Sequence, residues 1–331
     1  MESKLEKDRV YNVSVIICAF NAEKYIGEAI ESVLKQTYKN YELLIINDAS
    51  VDSTLSIAEQ YSKKDGRIKI INLYKNQGLA KGRKIALSHT KYDWVIYLDA
   101  DDIFLPNILE EFVDEINKDP ELILVSSYAY YIDSENKRKL GIQKIGPVSK
   151  EEFYKAFNGK KLIFFPATSL FSKKHALEVG GPRVEGFGKW EDIRVQDYAE
   201  DLDLWMRMSD FGSNGLYMRT TPKPLFLYRK YRGSLSARNT RFMNEKMRWI
   251  KECLKARRND RNEPSYEEYI KSLTNLEKFN NRREDIGTFL YKKAADFYIE
   301  NNYMQMFFYV VIASLFNPKF VYQKFKNYFV K

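Results

Sequence analysis

The chain has 331 residues, of which 44% are hydrophobic, so it is long enough to bury one large core together with an appendage. Its two cysteines argue against a disulfide framework and for a reducing compartment, and the charged N-terminal stretch predicts no secretory signal, so we expect a cytoplasmic protein. The formal net charge of +9 is concentrated in the C-terminal part, because residues 223–283 contain 17 lysines and arginines against 7 acidic residues.

Strand-like and helix-like patterns alternate along the N-terminal third of the chain. Buried strands are predicted at residues 13–19, 41–47, 68–72 and 94–99, and helices at residues 23–35, 52–64 and 78–90. This order predicts an α/β fold with a doubly wound, mostly parallel, Rossmann-like sheet. Ligands of such a sheet lie beyond the carboxyl ends of the strands, so we expect Asp48 and the acidic residues after Leu98 to converge there.

The alternation is weaker in the rest of the chain. Further strands are predicted at residues 122–131 and 166–171 and a helix at residues 199–211, whereas only helices are predicted after residue 239. We therefore predict two domains, an α/β domain at residues 1–238 and a basic, aromatic-rich helical region at residues 239–331.

The strand that begins at Trp94 ends in three carboxylates, those of Asp99, Asp101 and Asp102. Carboxylates this close repel one another unless they are protonated or share a cation. Hard divalent ions such as Mg²⁺ or Mn²⁺ choose oxygen ligands and keep open positions for substrate phosphates, so the cluster indicates chemistry on a nucleotide diphosphate. The alternative is a solvated acidic loop in front of a helix that starts near Pro106.

Five segments of the sequence occur in the order found in one enzyme family. They are VSVIICAFN at 13–21, INDASVDST at 46–54, NQG at 76–78, LDADD at 98–102 and AEDLDLWMR at 199–207. With these segments, residues 10–236 resemble the family 2 inverting glycosyltransferases of the GT-A fold. The resemblance implies single-displacement transfer of a sugar from a nucleotide-diphosphate donor, typically a UDP-hexose, to a glycan or lipid-linked glycan, with Mn²⁺ or Mg²⁺. It also implies a role in polysaccharide, O-antigen or capsule synthesis.

The resemblance implies that the nucleotide binds at the ends of the first two strands. Phe20, with its neighbours Ala19 and Asn21, matches the segment that packs against the base, and Asp48 matches the residue that hydrogen-bonds it. A planar apolar surface and a carboxylate acceptor suit these two roles. The alternatives are an ordinary core aromatic for Phe20 and a turn-forming aspartate for Asp48.

The resemblance also implies which residues hold the metal and the diphosphate. Asp101 is expected to be the main protein ligand of the metal, and Asp99 to contact the ribose or, through water, the metal. Arg83 matches an arginine that lies near the diphosphate, and Arg232 lies in a loop that closes over the donor and clamps the diphosphate. A solvated helix face is the alternative for Arg83, and an ordinary surface loop is the alternative for Arg232.

Asp201 matches the catalytic base of the family's Glu-Asp pair. Such a carboxylate removes the proton of the acceptor hydroxyl while the metal-bound diphosphate leaves from the opposite face. Glu191 and Asp192 form a competing pair nine residues earlier, and we favour Asp201 because residues 202–207 complete the family's pattern. The alternative is a carboxylate that only favours the dipole at the start of a helix.

The C-terminal helices are predicted to form a hairpin. Residues 285–300 and 306–316 flank a turn at Asn301 and Asn302, and the apolar second segment is too short to cross a bilayer. Residues 319–331 combine aromatic residues with four lysines, a composition typical of an interfacial helix. Two alternatives stay open, namely packing on the core or in an oligomer, and peripheral contact with the anionic inner face of the cell membrane.

Two other classes of function compete with sugar transfer. A sugar-phosphate nucleotidyltransferase also uses a parallel sheet, a metal and a nucleotide, but it normally has a glycine-rich phosphate loop after the first strand, which residues 18–23 lack. A non-enzymatic polyanion-binding protein would account for the basic C-terminal region, yet no zinc-finger spacing or RNA-binding aromatic signature accompanies the charge. We therefore expect no nucleic-acid partner.

Overall fold

The computed structural model describes residues 10–135, 137–231 and 239–329. Its strands are β1 Val13–Ala19, β2 Tyr41–Asn47, β3 Ile68–Asn72, β4 Trp94–Asp99, β5 Ile103–Phe104, β6 Leu122–Ile132, β7 Lys139–Gln143, β8 Ser169–Ser172 and β9 Tyr217–Arg229. Its α-helices are α1 Ile26–Leu34, α2 Thr54–Ser62, α3 Leu79–His89, α4 Ile108–Lys118, α5 Lys150–Asn158, α6 Lys173–Glu178, α7 Glu200–Met208, α8 Thr240–Arg257, α9 Tyr266–Ser272, α10 Asn275–Ile299, α11 Tyr303–Phe316 and α12 Pro318–Phe329. Short 3₁₀ helices occur at Gly188–Trp190, Val195–Asp197 and Ser209–Asn214.

The strands form one mixed sheet in the order β3-β2-β1-β4-β8-β6-β9-β5, with β7 paired to β6. Strands β3, β2, β1 and β4 are parallel to each other, and so are β6 and β9. Strand β8 is antiparallel to both β4 and β6, and β5 is antiparallel to β9. The predicted α/β fold with a helical C-terminal region is confirmed, and the sheet is parallel in its first half and mixed beyond it.

The parallel half of the sheet forms because its strands are almost entirely apolar. Strands β1 and β2 are buried along nearly their whole length, which is typical of parallel strands covered by helices on both faces. The register places Cys18 of β1 between Ile46 of β2 and Asp99 of β4. The carboxyl ends of these three strands therefore lie side by side, where the βαβ order predicts a ligand site.

Helix α1 begins at Ile26, three residues later than predicted. The reason is that the loop before it is bound to the loop before α2. The amide of Ala22 donates to Thr54 Oγ1 at 2.7 Å, and the amide of Glu23 donates to Asp52 Oδ2 at 3.1 Å. These bonds hold the two loops together at the edge of the sheet where β1 and β2 end.

Strand β9 is an element that the sequence pattern did not predict. It contains Pro222 and Pro224, and proline is usually excluded from central strands because it lacks an amide donor. The pairing of β9 with β6 shifts register at Tyr128, opposite Pro224, so an irregularity accommodates the proline. Strand β9 ends at Arg229 and also pairs with β5, which follows the acidic cluster of β4.

The chain divides into two compact units. The first comprises Met1–Ile132, Gly141–Val184 and Glu200–Arg229, and the second comprises Asp133–Leu140, Glu185–Ala199 and Lys230–Lys331. The predicted domain boundary at residue 238 lies in segment 232–238, which is outside the described residues. That boundary therefore stays a prediction.

The second unit is helical in the described residues after 239, as predicted, and it has an aromatic cluster. The ring centroids of Phe187, Trp249 and Tyr266 lie 5.5 to 5.8 Å apart. Helices α10 and α11 form the predicted hairpin, in which the rings of Phe297 and Tyr309 lie 5.1 Å apart. Within the described residues, none of the helices has the length and apolar character needed to cross a bilayer.

Candidate active site

Asp48 follows β2 and organises the turn before α3. Its two carboxylate oxygens accept the amide N–H groups of Gln77 and Gly78 at 2.6 and 2.8 Å, and its own amide donates to the carbonyl of Ala19 at 2.8 Å. The residue is 5% exposed. Asp48 therefore forms the turn, and a carboxylate oxygen can accept a second hydrogen bond besides the one observed.

Phe20 and Asn21 lie at the end of β1, next to the loop that follows Asp48. The amide of Asn21 donates to Ser50 Oγ at 3.0 Å, and Asn21 Oδ1 accepts the amide of Val51 at 2.9 Å. Asn21 and Ala49 both have left-handed backbone conformations, with φ of 49° and 57°. Strain of this kind clusters at functional sites. Phe20 is 50% exposed, so its ring is available to a planar ligand and is not an ordinary core aromatic.

Arg83 is the buried centre of an ion cluster. Its Nη2 lies 2.6 Å from Asp99 Oδ1, and its Nη1 is hydrogen-bonded to Glu200 Oε1. Its guanidinium lies over the ring of Tyr97, 4.5 Å from the centroid. Because Arg83 is only 2% exposed, the solvated helix face is excluded as an explanation of this residue. The cluster joins α3, the end of β4 and the start of α7.

The electrostatics of the cluster keep Arg83 charged. Burial alone would lower the pKa of Arg83, but the carboxylates of Glu200, Asp99 and Asp201 together hold that pKa well above its ordinary value. Burial raises the pKa of the neighbouring Cys18 thiol to about 12, so Cys18 is neutral and unreactive at physiological pH. The site therefore contains a fixed positive charge among several carboxylates.

The acidic turn after β4 is held by backbone bonds. The amide of Asp102 donates to the carbonyl of Asp99 at 3.0 Å, and Asp102 Oδ1 accepts the amide of Arg229 at 2.9 Å. Asp102 is 2% exposed, whereas the side chain of Asp99 is 35% exposed and Asp101 is half-buried. Asp102 therefore fixes the turn, and Asp99 and Asp101 are its partly accessible members.

The donor set at this turn fits a metal that is shared with a substrate. In the described part of the chain, no three histidine, cysteine, aspartate or glutamate residues come together as a closed metal site. Magnesium-like ions are commonly bound by one or two carboxylates, with substrate phosphates and waters completing the shell. The partly exposed carboxylates of Asp99 and Asp101 suit that mode of binding.

Glu200 and Asp201 are the first residues of α7. Glu200 is 6% exposed and bonded to Arg83, whereas Asp201 is half-buried and its Oδ1 accepts the amide of Leu202 at 2.7 Å. The preceding Ala199 has a left-handed conformation with φ of 48°. Arg83 thus ties the start of α7 to the end of β4 and brings Asp201 into the same electrostatic cluster.

The competing pair, Glu191 and Asp192, is exposed and belongs to the second unit. Glu191 Oε1 accepts the amide N–H of Phe187 at 3.3 Å, and the backbone amide of Glu191 donates to the carbonyl of Gly188 at 3.0 Å. Glu191 therefore stabilises a local turn. Arg232 lies outside the described residues, and its role stays a prediction.

One residue of this region, Arg229, was not singled out from the sequence. It lies three residues before Arg232, the arginine of this region for which the sequence predicts a role. Its Nε donates to the carbonyl of Asp101 at 2.8 Å, and its Nη2 lies 2.7 Å from Glu28 Oε2. No local spacing relates Arg229 to either partner, because both lie more than a hundred residues earlier in the chain.

Comparison with known proteins identifies the family of the chain. The family model for glycosyl transferase family 2 matches residues 14–180. An uncharacterized glycosyltransferase of Haemophilus influenzae is 32% identical over 242 residues, which cover 72% of this chain and 72% of that protein.

Two solved structures share the fold. S. aureus TarS 1-349 in complex with UDP-GlcNAc has a TM-score of 0.55 at 18% identity, over 92% of this chain and 91% of that chain. The mannosyltransferase PcManGT from Pyrobaculum calidifontis, in complex with GDP-Man and Mn²⁺, has a TM-score of 0.54 at 18% identity, over 93% of this chain and 87% of that chain. The matched family model, the relative and the site at the carboxyl edge of the sheet lead to one conclusion: this chain is a glycosyltransferase that belongs to glycosyl transferase family 2.

Proposed function

We propose that this chain is a metal-dependent inverting glycosyltransferase that moves a hexose from a UDP-hexose to a hydroxyl of a glycan or lipid-linked glycan, in the synthesis of a surface polysaccharide. The observation that carries the proposal is the ion cluster of Arg83, Asp99 and Glu200. It joins the end of β4, where a diphosphate-bound metal is expected, to the start of α7, where the expected base Asp201 lies. The proposed donor site and the proposed general base therefore lie at the same edge of the sheet.

Uracil is the proposed base of the donor. The exposed ring of Phe20 offers a stacking surface between Ala19 and Asn21. Asp48 accepts one amide on each carboxylate oxygen and has acceptor capacity left, which suits the imide N–H of uracil. The UDP-GlcNAc bound by TarS supports uracil as the nucleobase. PcManGT binds GDP-Man instead, so the nucleobase must be tested by experiment.

Asp101 and Asp99 are the residues that would hold the metal, with Asp101 as the main ligand, and Mn²⁺ or Mg²⁺ would neutralise charge on the departing diphosphate. The Mn²⁺ in PcManGT supports a metal of this class. Arg83 keeps a positive charge beside Asp99, and Arg232 is the proposed clamp on the diphosphate.

Asp201 is the proposed general base. Its neighbour Glu200 is fixed by Arg83, so the backbone at the start of α7 has little freedom, and the Asp201 carboxylate is half-buried. A carboxylate held in this way accepts the proton of the acceptor hydroxyl as that hydroxyl attacks the anomeric carbon. Because a single displacement inverts configuration, an α-linked donor should give a β-linked product.

A panel of sugar nucleotides tests the proposed donor. The purified protein is incubated with Mn²⁺ and UDP-, GDP- or dTDP-sugars, and nucleotide release is measured with and without EDTA. We expect release from UDP-sugars that EDTA abolishes. Turnover of only GDP- or dTDP-sugars would contradict the role of Asp48, and formation of a nucleotide sugar from a sugar 1-phosphate would favour a nucleotidyltransferase.

Replacement of the proposed metal ligand should weaken metal-dependent donor binding. Asp101→Asn is expected to raise the dissociation constant of UDP in the presence of Mn²⁺ by about 10-fold or more, because a neutral amide cannot compensate the charge of the cation. Calorimetry with and without Mn²⁺ measures the effect. Asp114→Asn, at an exposed position of α4, is the matched control. Equal Mn²⁺ dependence in wild type and Asp101→Asn would exclude this ligand.

We further propose that the C-terminal helices hold the enzyme on an anionic membrane surface. One face of α11 is exposed and apolar; it consists of Tyr303, Met304, Phe307, Phe308, Val311 and Leu315, whose exposure ranges from 43% to 85%. Residues 301–331 contain four lysines and no aspartate or glutamate. An apolar face next to lysines suits anionic lipid head groups, where a lipid-linked acceptor would be found.

Co-sedimentation with lipid vesicles tests this attachment. The protein is expected to bind vesicles that contain phosphatidylserine and not neutral ones, and Phe307→Gln with Phe308→Gln should weaken binding by about 10-fold or more. Tyr74→Gln, at a 93% exposed aromatic of the first unit, is the control. If the double variant instead dissociates a dimer in light scattering and leaves vesicle binding unchanged, the helices serve oligomerisation and the membrane proposal is wrong.

A further inference from the structure

Arg229 makes an unusually complete set of contacts at the end of β9. Its side chain is 1% exposed, and its guanidinium lies 4.5 Å from the ring centroid of Tyr25. Its Nη2 lies 2.7 Å from Glu28 Oε2, and its Nε donates to the carbonyl of Asp101 at 2.8 Å. Its backbone amide donates to Asp102 Oδ1 at 2.9 Å. One residue thus contacts α1 and two consecutive residues of the acidic turn.

The pairing of β5 with β9 brings these groups together. Ile103 pairs with Leu227 and Phe104 pairs with Phe226 in an antiparallel register. The amide of Leu105 also donates to the carbonyl of Leu225 at 2.9 Å. When this register continues past Ile103, it places Arg229 opposite Asp101. The arginine position is therefore set by the sheet, and the acidic turn is held at its end by this strand pairing as well as by the arginine bonds.

The contacts of Arg229 explain why a buried arginine belongs there. Asp99, Asp101 and Asp102 lie within four residues of the chain, and carboxylates this close in sequence repel one another when a cation is absent. Arg83 pairs with Asp99. Arg229 pairs its charge with Glu28 and holds the turn through the carbonyl of Asp101 and the Oδ1 of Asp102. The planar guanidinium donates in fixed directions to Asp101 and Glu28, which a lysine ammonium on a flexible stem does not reproduce.

We propose that Arg229 is a positioning residue for the metal site: it fixes the backbone of Asp101 and Asp102, and thereby the place from which the Asp101 carboxylate would hold the cation. Because its guanidinium is cationic, Arg229 would act through Asp101 and Asp102 and would not itself be a ligand of the metal. Residues that orient metal ligands typically change metal affinity by about 10–100-fold when they are replaced. This inference rests on the proposed metal dependence, and it assigns the preorganisation of that site to one side chain.

The test uses Arg229→Lys in the full chain. Electron paramagnetic resonance measures the dissociation constant of Mn²⁺ with saturating UDP, and circular dichroism gives the folded fraction. We expect the constant to rise about 10-fold relative to wild type and an excess of Mn²⁺ to restore turnover. Arg219→Lys is the matched control. Arg219 is a partly buried arginine that pairs with Glu115. It lies on β9 ten residues before Arg229, roughly 30 Å away along the strand.

Glu28→Gln keeps the inference testable if Arg229→Lys does not fold. Glu28 is 38% exposed, so the neutral glutamine should be tolerated, and losing its charge should weaken Mn²⁺ binding by about threefold through Arg229. An unchanged Mn²⁺ affinity in both folded variants, or the same loss in Arg219→Lys, would show that Arg229 is only structural. Failure of the wild-type protein to bind Mn²⁺ would instead overturn the proposed metal dependence, and this inference with it.

Discussion

Asp201→Asn is expected to lower sugar transfer by about 10²-fold or more, the scale of a general-base contribution, while UDP affinity and thermal stability stay near those of the wild type. The amide is nearly isosteric and can still accept the amide of Leu202, so the start of α7 should keep its conformation. It cannot take the proton of the acceptor hydroxyl. Turnover at saturating donor, measured as UDP release, gives the loss in kcat.

Asp192→Asn is the matched control for this result. Asp192 carries the same functional group, is exposed and lies in the second unit, so its replacement should leave kcat within about twofold of the wild type. The opposite pattern, in which Asp192→Asn abolishes transfer and Asp201→Asn is nearly fully active, would move the base to the competing pair.

Arg83→Met is expected to lower the free energy of unfolding by about 3 kcal/mol or more, because it leaves the carboxylates of Asp99 and Glu200 without their buried partner. Methionine fills most of the aliphatic volume of arginine, so the loss reports mainly on charge. Urea denaturation followed by circular dichroism measures it. The variant should also lose transfer, since Arg83 ties α7 to β4.

Two further variants separate the buried cluster from an ordinary ion pair. Adding Glu200→Gln to Arg83→Met should recover part of the stability, because one uncompensated charge is removed. Arg67→Met breaks a partly exposed pair with Asp65 and should cost less than about 1 kcal/mol. A loss below about 1 kcal/mol in Arg83→Met itself would mean that solvent reaches the cluster and that Arg83 does not hold Asp201 in place.

The first four strands were predicted at their observed bounds because each is a short apolar run between polar segments. The late start of α1 was not predictable, since the residues before it are helix-compatible and are diverted only by bonds to a loop some thirty residues away. Strand β9 was missed because its prolines argue against a strand, and only the irregular pairing with β6 makes them acceptable.

The residues of the candidate site also fall into those that the sequence indicated and those that it did not. Asp99, Asp101 and Asp201 lie in local motifs that resemble the family, so the resemblance could assign roles to them, and those roles stay predictions. The burial of Arg83 had no local signal, because Lys81, Arg83 and Lys84 are equally consistent with a solvated helix face. Arg229 had none either, because its contacts depend on a strand pairing between distant parts of the chain.

The proposed inverting mechanism is tested most directly by the anomeric configuration of the sugar that the enzyme first releases. An α-linked UDP-hexose is incubated with the protein and Mn²⁺, with water as acceptor, and proton NMR follows the anomeric signal before the free sugar equilibrates. Single displacement assisted by Asp201 predicts that the β anomer forms first, and that Asp201→Asn suppresses it. First appearance of the α anomer would contradict an inverting mechanism and the role of Asp201 as its base.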